Sequence, residues 1–249
     1  MYLHVPHIGV SRPYGCSMIS ARAYSILFVV PIVALSACGG KSFKADPAAD
    51  LAVAKQAVLT AADLPGYKAT PHTSSDDIPA GVKKDFANCM GTTTSVFDDT
   101  PGAQKADSPD FSSADQKLQV SGAVEVDPSK SDIDNGWSEI SKAGTEPCLG
   151  KLFEAAAHQG ALAGPGISVR LGAVTRFDVG VGDRSVGYSA PVHITGPGGS
   201  ISVYLDLVFL PRDRAGMDFS FTNIGSPPDR GTETALVKKV YDRVGNRAK

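Results

Sequence analysis

The chain predicts an α+β fold: a single twisted antiparallel β-sheet with helices packed on one face. Three observations point there. In the C-terminal third, apolar and polar residues alternate with period two through consecutive segments. Short turns rich in Gly, Pro or Asp separate them, which suits antiparallel neighbours, because parallel strands need crossovers of a dozen residues or more. Elsewhere the apolar residues recur every three or four positions, as on the buried stripe of a surface helix.

Taken in order, Leu51 to Ala62 holds helix formers with Leu51, Val58 and Leu59 as its apolar residues, and Pro65-Gly66 stops it. Thr70 to Ala80 is a polar loop. Lys83 to Met90 is a short helix with Phe86, Cys89 and Met90 inward, and Gly91 to Ser113 reads as a long surface loop. Leu118, Val120, Gly122, Val124 and Val126 alternate with polar or small neighbours as a half-buried strand. Ser131 to Lys142 carries Ile133, Trp137 and Ile140 on one helical stripe, with Ser131 or Asp132 as its cap. A further helix groups Cys148, Leu149, Leu152, Phe153 and Ala156, and Gly160 closes it. Four strands follow: Ile167 to Asp178, Val186 to Ile194, Ile201 to Phe209 and Met217 to Thr222. Pro191 cannot donate to a ladder, so its strand is expected at an edge or to bear a bulge. A helix from Thr232 to Val244 buries Leu236, Val240 and Val244 and ends the chain.

Ahead of these elements stands a leader. Ile26 to Ala37 is apolar, the only charges before Cys38 are Arg12 and Arg22, and the run ends in Leu35-Ser36-Ala37-Cys38 followed by Gly39-Gly40. A spanning helix needs about 20 apolar residues, so this shorter core reads as a signal sequence rather than a membrane span. The small residues before a cysteine form a lipobox: residues 1–37 are the signal peptide and Cys38 becomes the lipidated first residue. The alternative is an ordinary cleaved signal and a soluble secreted protein. Met18, followed by Ile19-Ser20-Ala21-Arg22, offers a second translation start, which would remove Cys16, His4 and His7 from the protein. Residues 38–50 are small and polar, as expected of a flexible tether, and 51–249 form a single domain.

Formal charge is -2, and the leader contains basic residues but no acid, so processing leaves a mildly acidic chain. Nucleic-acid binding needs a concentrated basic face, and no such run is present. Of the 4 cysteines, Cys16 leaves with the leader and Cys38 is acylated. That leaves Cys89 and Cys148 in an oxidising compartment, where a bridge is favoured over two separate buried thiols.

Leu59-Thr60-Ala61-Ala62-Asp63-Leu64-Pro65, the helix bearing Trp137, the two cysteines, the Val181-Gly182-Asp183-Arg184-Ser185 turn and the last helix after Pro227-Pro228 form a pattern. It resembles actinobacterial, mycobacterial-type envelope lipoproteins related to the extracytoplasmic sensor domain of receptor serine/threonine kinases. That sensor domain is associated with two disulfides where this chain supplies one, so the wider lipoprotein group is the nearer resemblance. It implies a ligand-binding or interaction module of α+β fold at the cell envelope, and carries over no catalytic residue.

Asp183-Arg184-Ser185-Val186-Gly187 lacks the first glycine of a nucleophile elbow and leads into a strand instead of a helix, so a tight turn is the simpler reading. His72 has no second ligand at useful spacing, and His158 suits a helix C-terminus. Asp132, Asp134 and Glu139 are out of register for an EF-hand, and Gly196-Pro197-Gly198-Gly199-Ser200 lacks the lysine of a phosphate loop. Alternation places Ser189, His193, Tyr204 and Asp206 on the polar sheet face, the candidate ligand face. The expectation is therefore a non-catalytic lipoprotein, with no cofactor or metal, held at the extracytoplasmic face of the cell membrane through Cys38. It binds a small apolar or lipid ligand, or an envelope protein, in a cleft between helix and sheet or on that polar face. The alternatives are an envelope hydrolase using Ser185 or His193, and a scaffold protein for a membrane complex.

Overall fold

The computed structural model describes residues 45–72, 79–94, 100–159, 166–245 and 248. Cys38, the signal peptide, the first part of the tether, Gly160 and the side chain of His158 lie outside the described part.

Helix α1 spans Pro47–Ala57, beginning before Leu51 and stopping short of Ala62. The Asp46 carboxylate caps it by accepting from the Ala48 and Ala49 amides, and Pro47 occupies the first turn, where a missing N–H costs nothing. The tether assignment therefore fails over 47–50. Its small residues had masked the helix, whose buried side uses Asp50, Ala54 and Ala57 rather than bulky groups. After α1, the Asp63 carboxylate accepts from both the amide and the hydroxyl of Thr60, which closes the next turn.

Helix α2 covers Ala80–Met90 and ends at Gly91 with φ +66°, the left-handed conformation a glycine adopts freely. Helix α3 is Lys130–Ser141, and its cap is Ser129, upstream of the expected Ser131 or Asp132. Helices α4, Thr145–Gln159, and α5, Arg230–Val244, complete the set, and the Asp229 carboxylate caps α5 by accepting from the Gly231 amide.

Among the described residues, nine strands form one antiparallel sheet. In chain order they are β1 Lys68–Thr70, β2 Gln104–Asp107, β3 Asp110–Ser112, β4 Leu118–Val126, β5 Ser168–Leu171, β6 Thr175–Phe177, β7 Val186–Gly196, β8 Gly199–Arg212 and β9 Ala215–Ile224. The spatial order is β1-β3-β4-β9-β8-β7-β5, with β2 also on β4 and β6 also on β7. The expected loop from Gly91 to Ser113 thus contains β2 and β3. Both are too short and polar to show a period of their own, and pairing with β4 creates them.

The predicted strand from Ile167 to Asp178 is split into β5 and β6. Pro191 supplies the reason. It does not lie on an edge strand, because β7 pairs with β8 on one side and with β5 and β6 on the other. In an antiparallel ladder a residue's N–H and C=O point to the same neighbour. The Pro191 carbonyl accepts from the Gly172 amide at 2.7 Å, so its missing N–H faces the gap between β5 and β6. A Cβ at Gly172 would come within 2.7 Å of the proline ring.

The α+β class and single antiparallel sheet hold, but the helices cover both faces. Val208 and Leu210 of β8 with Met217, Phe219 and Phe221 of β9 pack against Ala54 and Ala57 of α1 and Leu236, Val237 and Val240 of α5. On the other face, Val186, Tyr188 and Ala190 of β7 meet Val82, Phe86 and Met90 of α2 and Leu149, Leu152 and Phe153 of α4. Cys89 and Cys148 join α2 to α4 through a disulfide.

Close packing also explains Gly187. Its register partner on β6 is Phe177, and a Cβ there would come within 2.1 Å of that ring. Gly187→Ala is expected to cost about 1–3 kcal/mol by overpacking. A urea midpoint equal to that of the parent chain would refute the close approach.

Candidate functional site

Ser189, His193, Tyr204 and Asp206 do share one sheet face, as the pairs Ser189↔Asp206, Pro191↔Tyr204 and His193↔Ser202 require. That face is not a solvated ligand surface at its inner end. Asp206 is 0% exposed and Ser189 8%, because the same face carries Val208 and Phe221 into the core beneath α5. Only the end bearing His193 and Tyr204 is half-exposed.

Asp206 is instead part of a charge cluster in which two buried acids share one half-exposed arginine. Arg230 Nη1 donates to Asp206 Oδ2, and to Glu233 Oε2 at 2.7 Å. The Arg230 guanidinium lies 3.5 Å from the Phe177 ring centroid, a cation–π contact that holds it over the two acids. Burial, reinforced by the neighbouring Asp206 charge, pushes the Glu233 carboxyl up to about 8. Sequence reading missed this cluster because Arg230 and Glu233 sit in the first turn of a polar-looking helix, and only the sheet register brings Asp206 beneath them.

The residues singled out for hydrolysis are dispersed. Ser185 precedes β7 and His193 lies near its other end, so about 3.3 Å per residue along a strand separates them by roughly 26 Å. His193 Nδ1 is 3.0 Å from Ser202 Oγ, whereas the histidine held by a carboxylate is His72, with Nδ1 2.9 Å from Asp110 Oδ1. Asp110 lies on β3, and β4, β9 and β8 intervene before β7. Ser185 is therefore remote from His193, and the His72–Asp110 pair lies on another part of the sheet from both.

The acids of α3 are engaged structurally. Asp134 takes Lys130 Nζ at 2.6 Å and Arg184 Nη1 at 2.6 Å, Asp132 accepts from Ser129 Oγ, and Glu139 pairs with Lys142. The hydrogen bonds from Lys130 and Arg184 hold the Asp134 carboxyl below its ordinary range. Among the described residues no group of three His, Cys, Asp or Glu is placed to hold a metal ion. Gly182, at φ +68°, lets the turn before β7 lie against Tyr241, where a Cβ would come within 2.7 Å of the phenol.

A groove of about 500 Å³ opens between α4 and the β5–β6 segment. Pro147, Leu171 and Val174 give it apolar walls, and Lys151, Glu154 and Arg170 add charges of both signs. Helix α4 is fixed beside it by buried Leu149, Leu152 and Phe153 and by the Cys148 disulfide. The break after Leu171, imposed opposite Pro191, shapes the other wall.

No known protein family and no curated protein sequence matches the chain. A solved structure does. It is the extracellular domain of PknH from Mycobacterium tuberculosis, at 11% identity and a TM-score of 0.40, covering 78% of this chain and 95% of that one. At that similarity no residue role is carried across. No helix among the described residues is long and apolar enough to cross a membrane.

Proposed function

We propose that this chain is a non-catalytic, sensor-like lipoprotein domain, anchored through Cys38 at the extracytoplasmic face of the cell membrane, which binds a small amphipathic ligand between α4 and β5. The groove carries the reading. Its apolar walls suit a hydrocarbon or lipid-like body, and its two signs of charge suit a polar head. The lipobox ending at Cys38 supports the address, and the Cys89–Cys148 disulfide fits an oxidising compartment.

Gly150 provides a direct test. It lines the groove, and a Cβ there would meet Val174 at 3.6 Å, an ordinary contact, so Gly150→Trp fills the groove without forcing the backbone. Native mass spectrometry of the lipidated protein from its own membrane should show a co-purifying small molecule that Gly150→Trp lacks. Equal ligand occupancy in both forms would refute the groove as the site. Cys38→Ala should move the chain from the membrane to the aqueous fraction, and unchanged membrane retention would refute the anchor.

A further inference from the structure

The Asp206–Glu233–Arg230 cluster takes two carboxyl groups out of water, Asp206 at 0% and Glu233 at 3% exposed, while the Arg230 guanidinium that bridges them stays half-exposed. Arg230 satisfies one oxygen of each acid. The remaining oxygens, Asp206 Oδ1 and Glu233 Oε1, are buried and have no hydrogen-bond partner among the described residues, and donation from the one Arg230 Nη1 to both acids brings the two side chains together. Two carboxylates cannot bond to each other, because neither has a hydrogen to donate. Adding one proton converts the contact into a carboxylic acid donating to a carboxylate, and leaves the two buried acids and the half-exposed Arg230 with no net charge.

We propose that Asp206 and Glu233 hold a single proton between them and act as a pH-responsive latch fastening the first turn of α5 to β8. The latch involves Asp206 from β8 and Arg230 and Glu233 from α5. The surrounding strands contribute uncharged neighbours: Ser189 from β7 and Phe221 from β9 as register partners of Asp206, and Phe177 from β6 beneath Arg230. When the proton leaves, one positive charge faces two buried negative ones. Repulsion and desolvation then favour opening of the turn that carries Glu233.

The sign follows from linkage. Glu233 is raised from 4.5 to about 8 in the folded chain, so the folded state binds the extra proton between those values. Stability is therefore greatest at the acidic side of that interval, falls as pH rises through it, and levels off above the folded value. The four acids held below their ordinary range, Asp63, Asp115, Asp134 and Asp229, have the opposite sign and act at lower pH. Asp127, raised by burial, has the same sign as Glu233, and comparison with a Glu233 variant removes its contribution.

The test uses chemical denaturation and hydrogen exchange of the α5 first turn from pH 5 to 9, on the parent chain and on Glu233→Gln, which keeps the shape and donor of the protonated acid. The parent's folding constant should fall by up to about tenfold per pH unit to near pH 8, with faster exchange in that turn. Glu233→Gln should be flatter and at least as stable at pH 8. An equal slope in both chains overturns the latch, as does loss of stability in the variant at pH 8. Should the variant not fold, infrared spectra of the parent decide: a protonated-carboxyl band that disappears on raising pH from 6 to 9 supports the shared proton, and its absence at pH 6 overturns it.

Discussion

Asp50→Ala is expected to destabilise the chain by about 3–5 kcal/mol, the usual cost of leaving a buried charge without its partner. Arg214 Nη2 donates to Asp50 Oδ1 at 2.6 Å and Nη1 to Oδ2 at 3.1 Å, a bidentate pair in which both side chains are almost wholly buried. Nη1 also donates to the Asp127 carbonyl at 2.5 Å, and the Asp127 amide returns a bond to the Arg214 carbonyl at 2.8 Å. One guanidinium thus ties α1, the end of β4 and the β8–β9 turn together. The double variant Asp50→Leu/Arg214→Met should recover most of the loss, since well-packed apolar groups replace a buried pair at little cost. Urea unfolding of the single and double variants measures both. A loss below about 1 kcal/mol for Asp50→Ala would mean that water reaches the pair.

The Cys89→Ser/Cys148→Ser variant is expected to lose about 4 kcal/mol, the loop-closure entropy that the bridge removes from the unfolded chain. The bridge spans a sequence separation of 59, a segment holding β2, β3, β4 and α3. It also fixes α2 to α4, and α4 forms one wall of the groove. Weakened ligand retention should therefore accompany the loss of stability. Equal unfolding midpoints for the oxidised parent and the variant would refute a stabilising bridge, and normal ligand retention in the variant would separate the bridge from the groove.

How much was legible in advance depended on the range of the interaction. The C-terminal meander was readable because alternation and tight turns are local, and β7, β8 and β9 lie close to their expected positions. The cysteine pair was readable because the expected loss of Cys16 and acylation of Cys38 would leave two candidates. Helix α1 lies earlier than its bulky apolar residues suggest, because the Asp46 cap and Pro47 set its start and its buried side uses Asp50, Ala54 and Ala57. Strands β2 and β3 were missed because three or four polar residues have no detectable period, and their hydrogen bonds come from β4.

The candidate site was only partly legible. A cleft between helix and sheet was anticipated, but its residues were not: Lys151 and Glu154 are ordinary helix-surface residues, and Arg170 one position of a short strand. The four residues expected to face solvent do lie on one side of the sheet, yet Ser189 and Asp206 are covered. Period two distinguishes the two faces of a strand without saying whether the more polar one is also packed against a helix.

By itself, the sequence determined the α+β class and the antiparallel order of the last strands, because these rest on periods and turns within a few residues of each other; its lipobox at Cys38 stands as an expectation. Only the tertiary structure decided that helices pack on both faces, that Pro191 breaks its neighbour instead of marking an edge, and that charged groups meet across long stretches of chain. Arg214 and Asp50 are 164 residues apart, Arg243 and Asp63 180, and Arg230 and Asp206 24. Such pairs leave no periodic trace. Their energy depends on the burial they find at the end of folding, where removing water turns a weak surface attraction into a strong and specific one.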